Sequence, residues 1–295
     1  MKTLETKLRA LRASGRKALV PYFMGGLTPD WTRHVEAAVL AGADAVEIGI
    51  PFSDPMMDGP VVQEAALRAL EAGTTFDSIS NDLEHVNVGV PLIAMTYYNI
   101  FLHNGLERAA GQLANSGISG AIVPDLSLEE TFEWRGACDE VDVATVLLVA
   151  PSTPPDRVVR LAQASEGFVY ASARMAVTGR SEGDGEGGRV VQSIRDASDI
   201  PAFIGIGIGT PEQARGATAV SDGAIVGSAL VQIILDGGGV HDIEQFIGAF
   251  RSAIDSSARY SSDFAANISM LCPSTPAAPS LACTFAQAAP SVAGA

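Results

Sequence analysis

Asp44-Ala-Val-Glu-Ile-Gly-Ile-Pro-Phe-Ser-Asp-Pro-Met-Met-Asp-Gly-Pro60 reads as a strand, a proline-bounded loop and a helix start in succession. Side chains alternate along a strand, so Val46, Ile48 and Ile50 share one face while Ala45, Glu47 and Gly49 share the other. The branched apolar face suits a sheet covered by helices. The other face then carries a single carboxylate, Glu47, between two small neighbours. Buried there, the group must be partnered or protonated, and desolvation raises its pKa toward the range of a general acid at neutral pH. A structural Glu bonded to a neighbouring Tyr or backbone amide is the alternative reading.

Working outward, similar short runs lie at 18–23, 91–97, 120–124, 144–149, 167–171, 202–206 and 223–226, making eight with 44–50. Helical patterns separate them, which means βαβ units and a parallel sheet. The spacing predicts a single (β/α)8 TIM barrel of the α/β class. An open doubly wound sheet is the alternative, but Met24-Gly25-Gly26-Leu27 lacks its usual glycine fingerprint after the first strand. Thr210-Pro-Glu-Gln213 and Ser127-Leu-Glu-Glu130 read as helix capping boxes, and Gly73 and Gly117 as helix terminators. An extra N-terminal helix at about 4–14 precedes any strand and is placed to plug the barrel bottom.

The chain has 295 residues, enough for one large core, so residues 1–258 are assigned to the barrel. Residues 259–295 form a low-complexity tail rich in Ala, Ser and Pro, expected to be disordered. The glycine-rich, acidic stretch 179–188 is expected to be a mobile active-site loop. Nineteen basic against 34 acidic residues give a net charge of −15, which excludes nucleic acid and disfavours anionic membranes. No unbroken apolar run reaches the length of a membrane span, and the charged N-terminus is no signal sequence. Three scattered cysteines suggest a reducing compartment, and a cytoplasmic location is expected. The four histidines are also scattered, read as surface residues, and no metal site is expected.

Barrel sites form at the carboxyl ends of the strands. Asp58 sits on the loop after the second strand, where Asp-Gly-Pro also reads as an ordinary helix cap. Glycines cluster near the last three strand ends, in Val177-Thr-Gly179, Gly205-Ile-Gly-Ile-Gly209 and Gly227-Ser228. Tight turns account for any one pair, whereas all three together suit a phosphate cradle of backbone amides and the Ser228 hydroxyl. Acid–base chemistry on a phosphorylated small molecule is the resulting expectation.

The run Gly42 to Gln63, with its E-x-G-x-P-x-S-D-P-x-x-D-G-P core, closely resembles the signature of the tryptophan synthase α subunit. The likeness continues collinearly through Met95-Thr-Tyr-Tyr-Asn99, Ile122-Val-Pro-Asp125, Gly167-Phe-Val-Tyr170, Val177-Thr-Gly179 and Ile225-Val-Gly-Ser228, spanning residues 4–257. The resemblance implies cofactor-free retro-aldol cleavage of indole-3-glycerol phosphate to indole and glyceraldehyde 3-phosphate. It implies Glu47 as the acid–base residue and Asp58 as the acceptor of the indole N–H. It further implies Tyr97, Asp125, Tyr170 and Thr178 around the substrate, and Gly179, Gly207, Gly227 and Ser228 around the phosphate. A pyridoxal-phosphate-dependent β subunit in an αββα assembly is the implied partner. A stand-alone lyase and a weakly active scaffold for a β subunit are the alternatives. The family pattern is broken at Ala176, where glycine is usual, and at Met56-Met57, where Leu-Ala is usual. Val61 replaces a usual threonine, and Ile206 and Gly209 replace the Phe and Ser of G-F-G-I-S.

Overall fold

A computed structural model describes residues 1–172 and 186–271, with side chains through 256. Eight parallel strands close into a barrel in chain order: β1 (Ala18–Met24), β2 (Val46–Gly49), β3 (Leu92–Met95), β4 (Ile118–Ile122), β5 (Ala144–Val149), β6 (Val169–Ser172), β7 (Ala202–Gly205) and β8 (Gly223–Val226). Closure is made by β1 pairing with β8, from Ala18 opposite Gly223 to Pro21 opposite Val226. The strands are shorter than the sequence reading at several ends because residues on the barrel rim leave the hydrogen-bond ladder. β4 also begins two residues earlier than expected: Gly117, at φ +81, turns the chain out of the preceding helix. Pro124, which has no N–H, cannot extend the strand.

The helices are α1 (Thr3–Ala13), α2 (Trp31–Leu40), α3 (Pro60–Glu71), α4 (Phe76–Leu83), α5 (Tyr98–Asn104), α6 (Leu106–Asn115), α7 (Phe132–Glu140), α8 (Pro155–Ala164), α9 (Glu186–Ala197), α10 (Pro211–Val220), α11 (Ser228–Leu235) and α12 (Val240–Leu271). Two lie between β2 and β3 where the sequence reading had not resolved α4, which opens with a Thr75–Ser78 capping box. The expected box at Thr210 forms and starts α10. The one at Ser127 does not. Its hydroxyl donates to the Glu130 carboxylate (3.1 Å) instead of capping a backbone amide, and residues 128–130 form a short 3-10 turn.

The alternation in β2 is realised. Val46 and Ile48 join the outer core between sheet and helices. Ala45 faces the barrel interior with Val20, Ile93, Ile122, Val146, Phe168 and Phe203. Phe168 and Phe203 stack there with ring centroids 4.6 Å apart. α1 closes the amino-terminal end of the barrel: Leu4 and Leu8, one turn apart, are buried in the interior cluster. Gly120 makes room for Leu4, since a Cβ at that position would come within 2.5 Å of its Cδ2.

Two further expectations are corrected. Residues 186–188 of the predicted loop belong to the first turn of α9; 179–185 lie outside the described residues. His34 is buried, because positions 31, 34, 35 and 38 form the inner face of α2. α12 is helical to Leu271. By contacts the chain divides into Met1–Arg259 and Tyr260–Ala295. Tail residues 272–295 lie outside the described residues.

Leu4→Ala should destabilise the barrel by about 2–5 kcal/mol, as for other fully buried leucines. Urea denaturation checks the loss, and turnover at the opposite end of the barrel should remain near wild type.

Candidate active site

The carboxyl ends of the strands surround a cavity of about 640 Å³, within the range of small-molecule sites. A wider groove of about 1080 Å³ runs along α7 on the outside of the barrel and offers no buried acid. The inner cavity is therefore the site.

Glu47 lies at its base, in register with Tyr22 of β1 and Ile93 of β3. It is 1% exposed, and its Oε2 has no hydrogen-bond partner among the described residues. Burial, and secondarily the nearby Asp58 carboxylate, push its pKa from 4.5 up to about 8. The structural alternative, a Glu satisfied by its neighbours, does not fit an orphaned oxygen.

Asp58 is not the cap of α3. That position is taken by Gly59, with Pro60 as the first helical residue. The half-buried Asp58 carboxylate instead accepts a hydrogen bond from the Tyr97 hydroxyl (3.2 Å). Burial raises its pKa, and the Tyr97 bond opposes that rise. The same tyrosine oxygen accepts the Met57 N–H (2.7 Å), and Phe52 stacks on the ring at 5.0 Å. Gln63 reaches back from α3 and donates to the carbonyls of Pro55 (3.2 Å) and Asp58 (2.9 Å). The segment 55–58 is thus held from two sides, by Tyr97 and Gln63, while Met56 and Met57 stay 84% and 62% exposed.

Opposite the acids, Gly207, Gly227 and Ser228 line the cavity. Gly207 has φ +83 and follows Ile206, a β-branched residue held at φ +78. Gly227 precedes α11, and its carbonyl accepts the N–H groups of Leu230 and Val231. The first-turn amides of α11 have no earlier helical carbonyl to meet, so the helix start can donate to an anion. No Lys or Arg lines the cavity among the described residues, so backbone amides and the helix dipole are the attractions for an anion there.

Of the residues singled out in the sequence, Glu47, Asp58, Tyr170, Gly207, Gly227 and Ser228 converge on this cavity. Tyr97 meets it through Asp58. Asp125 stands apart and accepts the Tyr98 N–H (2.9 Å) at the start of α5. Thr178 and Gly179 lie outside the described residues. Sequence reasoning overlooked Tyr22, Met95, Leu148 and Ile208 in the wall. Tyr22 was accessible from the alternation of β1, because Val20 and Tyr22 share the inward face.

A closed parallel barrel with a proton-holding carboxyl group in its interior and an amide cradle near the last strands defines a barrel enzyme built for acid–base chemistry. Residues 8–253 match the family model described as tryptophan synthase alpha chain. The chain is 37% identical over 266 residues to the tryptophan synthase alpha chain of Cyanothece sp., covering 86% of this chain and 98% of that one. It is 37% identical over 255 residues to that of Arabidopsis thaliana, covering 83% and 92%. Among solved structures it is similar to tryptophan synthase from M. tuberculosis in an aminoacrylate-bound form, with TM-score 0.79 and 32% identity over 86% of this chain and 100% of that one. The chain belongs to the tryptophan synthase alpha chain family.

The raised pKa of Glu47 has a consequence for stability. The folded state keeps a proton that the unfolded state releases above about 4.5, so stability falls as pH rises toward about 8 and levels off beyond. Glu47→Gln, which cannot ionise, should therefore be more stable than wild type at pH 8, by roughly 1–3 kcal/mol. The difference should vanish near pH 4, and thermal melts across this range measure it.

Proposed function

We propose that Glu47 and Asp58 together carry out the reaction of this lyase, the cleavage of indole-3-glycerol phosphate to indole and glyceraldehyde 3-phosphate in tryptophan biosynthesis. The observation that carries the assignment is the buried, orphaned Glu47 carboxyl, poised to hold a proton near neutral pH. Indole leaves poorly as a carbanion, so the ring carbon bearing the side chain must first gain a proton. Glu47 supplies it, and the positive charge that develops on the ring nitrogen is met by the Asp58 carboxylate accepting the N–H. Glu47, now ionised, takes the proton of the hydroxyl on the adjacent chain carbon. The carbon–carbon bond then breaks, its electron pair returns to the ring, and the chain leaves as the aldehyde. Glu47 ends protonated, as it began, and no electrons are gained or lost. The phosphate rests against Gly207, Gly227 and Ser228, which fixes the reacting bond between the two carboxylates.

The partner in this reading is a pyridoxal-phosphate-dependent β subunit that receives the indole. The exposed Met56 supports it, since an apolar side chain on a solvent-facing loop suits a protein contact. A second reading, turnover without a partner, is favoured by the fastening of the Asp58 loop through Tyr97 and Gln63 within the chain itself. Indole release from indole-3-glycerol phosphate, measured with and without a β subunit, separates them. Stimulation on adding the β subunit, lost in Met56→Ser, supports the assembly; equal rates support the stand-alone lyase. In either case Glu47→Gln should lower turnover by about 10²–10⁴-fold while substrate still binds. A folded Glu47→Gln protein with near-normal turnover removes Glu47 as the acid.

A further inference from the structure

The proton transfers assigned above leave the hydroxyl of Tyr22 without a task. Tyr22 is 5% exposed and lines the cavity, yet its hydroxyl makes no hydrogen bond among the described residues. A phenol hydroxyl that opens into a cavity without a protein partner is available to a ligand that can accept its proton. Its placement is tightly constrained. At one end of the side chain, Cβ lies under Gly227 of the phosphate cradle, 3.7 Å from where a Cβ on that glycine would sit. At the other end, the hydroxyl packs so closely on Gly49 that no side chain fits there. Gly49 is two residues beyond Glu47 on the same inward face of β2, and Glu47 is the register partner of Tyr22 itself. The ring therefore spans the floor from the phosphate end of the site to the reacting end, with its hydroxyl at the reacting end.

Resting on the lyase reading above, we infer that the Tyr22 hydroxyl donates a hydrogen bond to the substrate oxygen on the chain carbon that becomes the aldehyde. Burial and the neighbouring Asp58 and Glu47 carboxylates hold the phenol well above its usual pKa, so it acts as a donor and not as a base. The bond strengthens as Glu47 withdraws the proton from that same oxygen and negative charge gathers on it. The residue thereby selects for a chain hydroxylated at the reacting carbon, a preference that the apolar wall of Met95, Ile122 and Leu148 cannot supply.

Tyr22→Phe removes only the hydroxyl, and its thermal midpoint reports whether the barrel is intact. Two ligands are compared: indole-3-glycerol phosphate by kcat/KM, and indole-3-propyl phosphate, the same skeleton without chain hydroxyls, by Kd. The expected result is a fall of about tenfold in kcat/KM with the Kd of the propyl phosphate unchanged. Equal losses for both ligands, or none for either, overturn the inference. A displaced pH profile for kcat/KM with unaltered discrimination also overturns it, because the hydroxyl would then act through Glu47. A wild-type protein that does not cleave indole-3-glycerol phosphate refutes the lyase reading itself, a result distinguishable from failure of the Tyr22 inference alone.

Discussion

Burying Glu47 inside the barrel removes the water that would solvate its charge, and no donor among the described residues replaces that water at Oε2. Much of the surrounding architecture follows from this desolvation. Ala45 and Gly49 flank the carboxyl without competing for its space, and Tyr22 and Tyr170 wall it off with aromatic surface. Asp58 is brought near enough to be felt electrostatically, yet it is held by Tyr97 on a loop where it keeps contact with solvent. Burial pushes both carboxyl groups upward, Glu47 to about 8, while the Tyr97 hydrogen bond opposes the rise at Asp58. In the proposed reaction, the roles of acid and charge acceptor follow this difference in surroundings more than residue type.

The barrel was legible because parallel strands sheathed in helices write a simple pattern of alternating faces and regular punctuation. Glu47 stood out as the single carboxylate in such a face. What escaped notice depended on three-dimensional neighbours. Asp58 read locally as a helix cap and only the resemblance gave it another role; in the fold Gly59 takes the cap and Tyr97 bonds the carboxylate. Ser127 and Glu130 have the spacing of a capping box, but a hydroxyl beside a carboxylate bonds to it when the turn tightens. His34 lies on the inner face that helical periodicity gives positions 31, 34, 35 and 38 of α2. Tyr22 follows from the alternation of β1, but its significance needs Gly49 and Gly227 on other strands to be seen.

The cavity wall opposite the acids is built with tension. Ile206 adopts a left-handed backbone conformation disfavoured for a β-branched residue, at a cost of roughly 1–3 kcal/mol, directly before Gly207 of the cradle. Its side chain lines the cavity while remaining 47% exposed. Strain of this kind persists where surrounding structure over-determines it, here by the close of β7 and the capping box that starts α10.

The α1 plug bears on the order in which the molecule is made. Leu4 and Leu8 are synthesised well before their socket, which includes Gly120 of β4 and Gly167. Until then an amphipathic helix with two uncovered leucines waits on an incomplete sheet, exposed to solvent and to other nascent chains. Its docking is a long-range contact in sequence, and such contacts form late because the loop entropy they close is large. A segment made before its socket is thus seated only after the strands that form that socket.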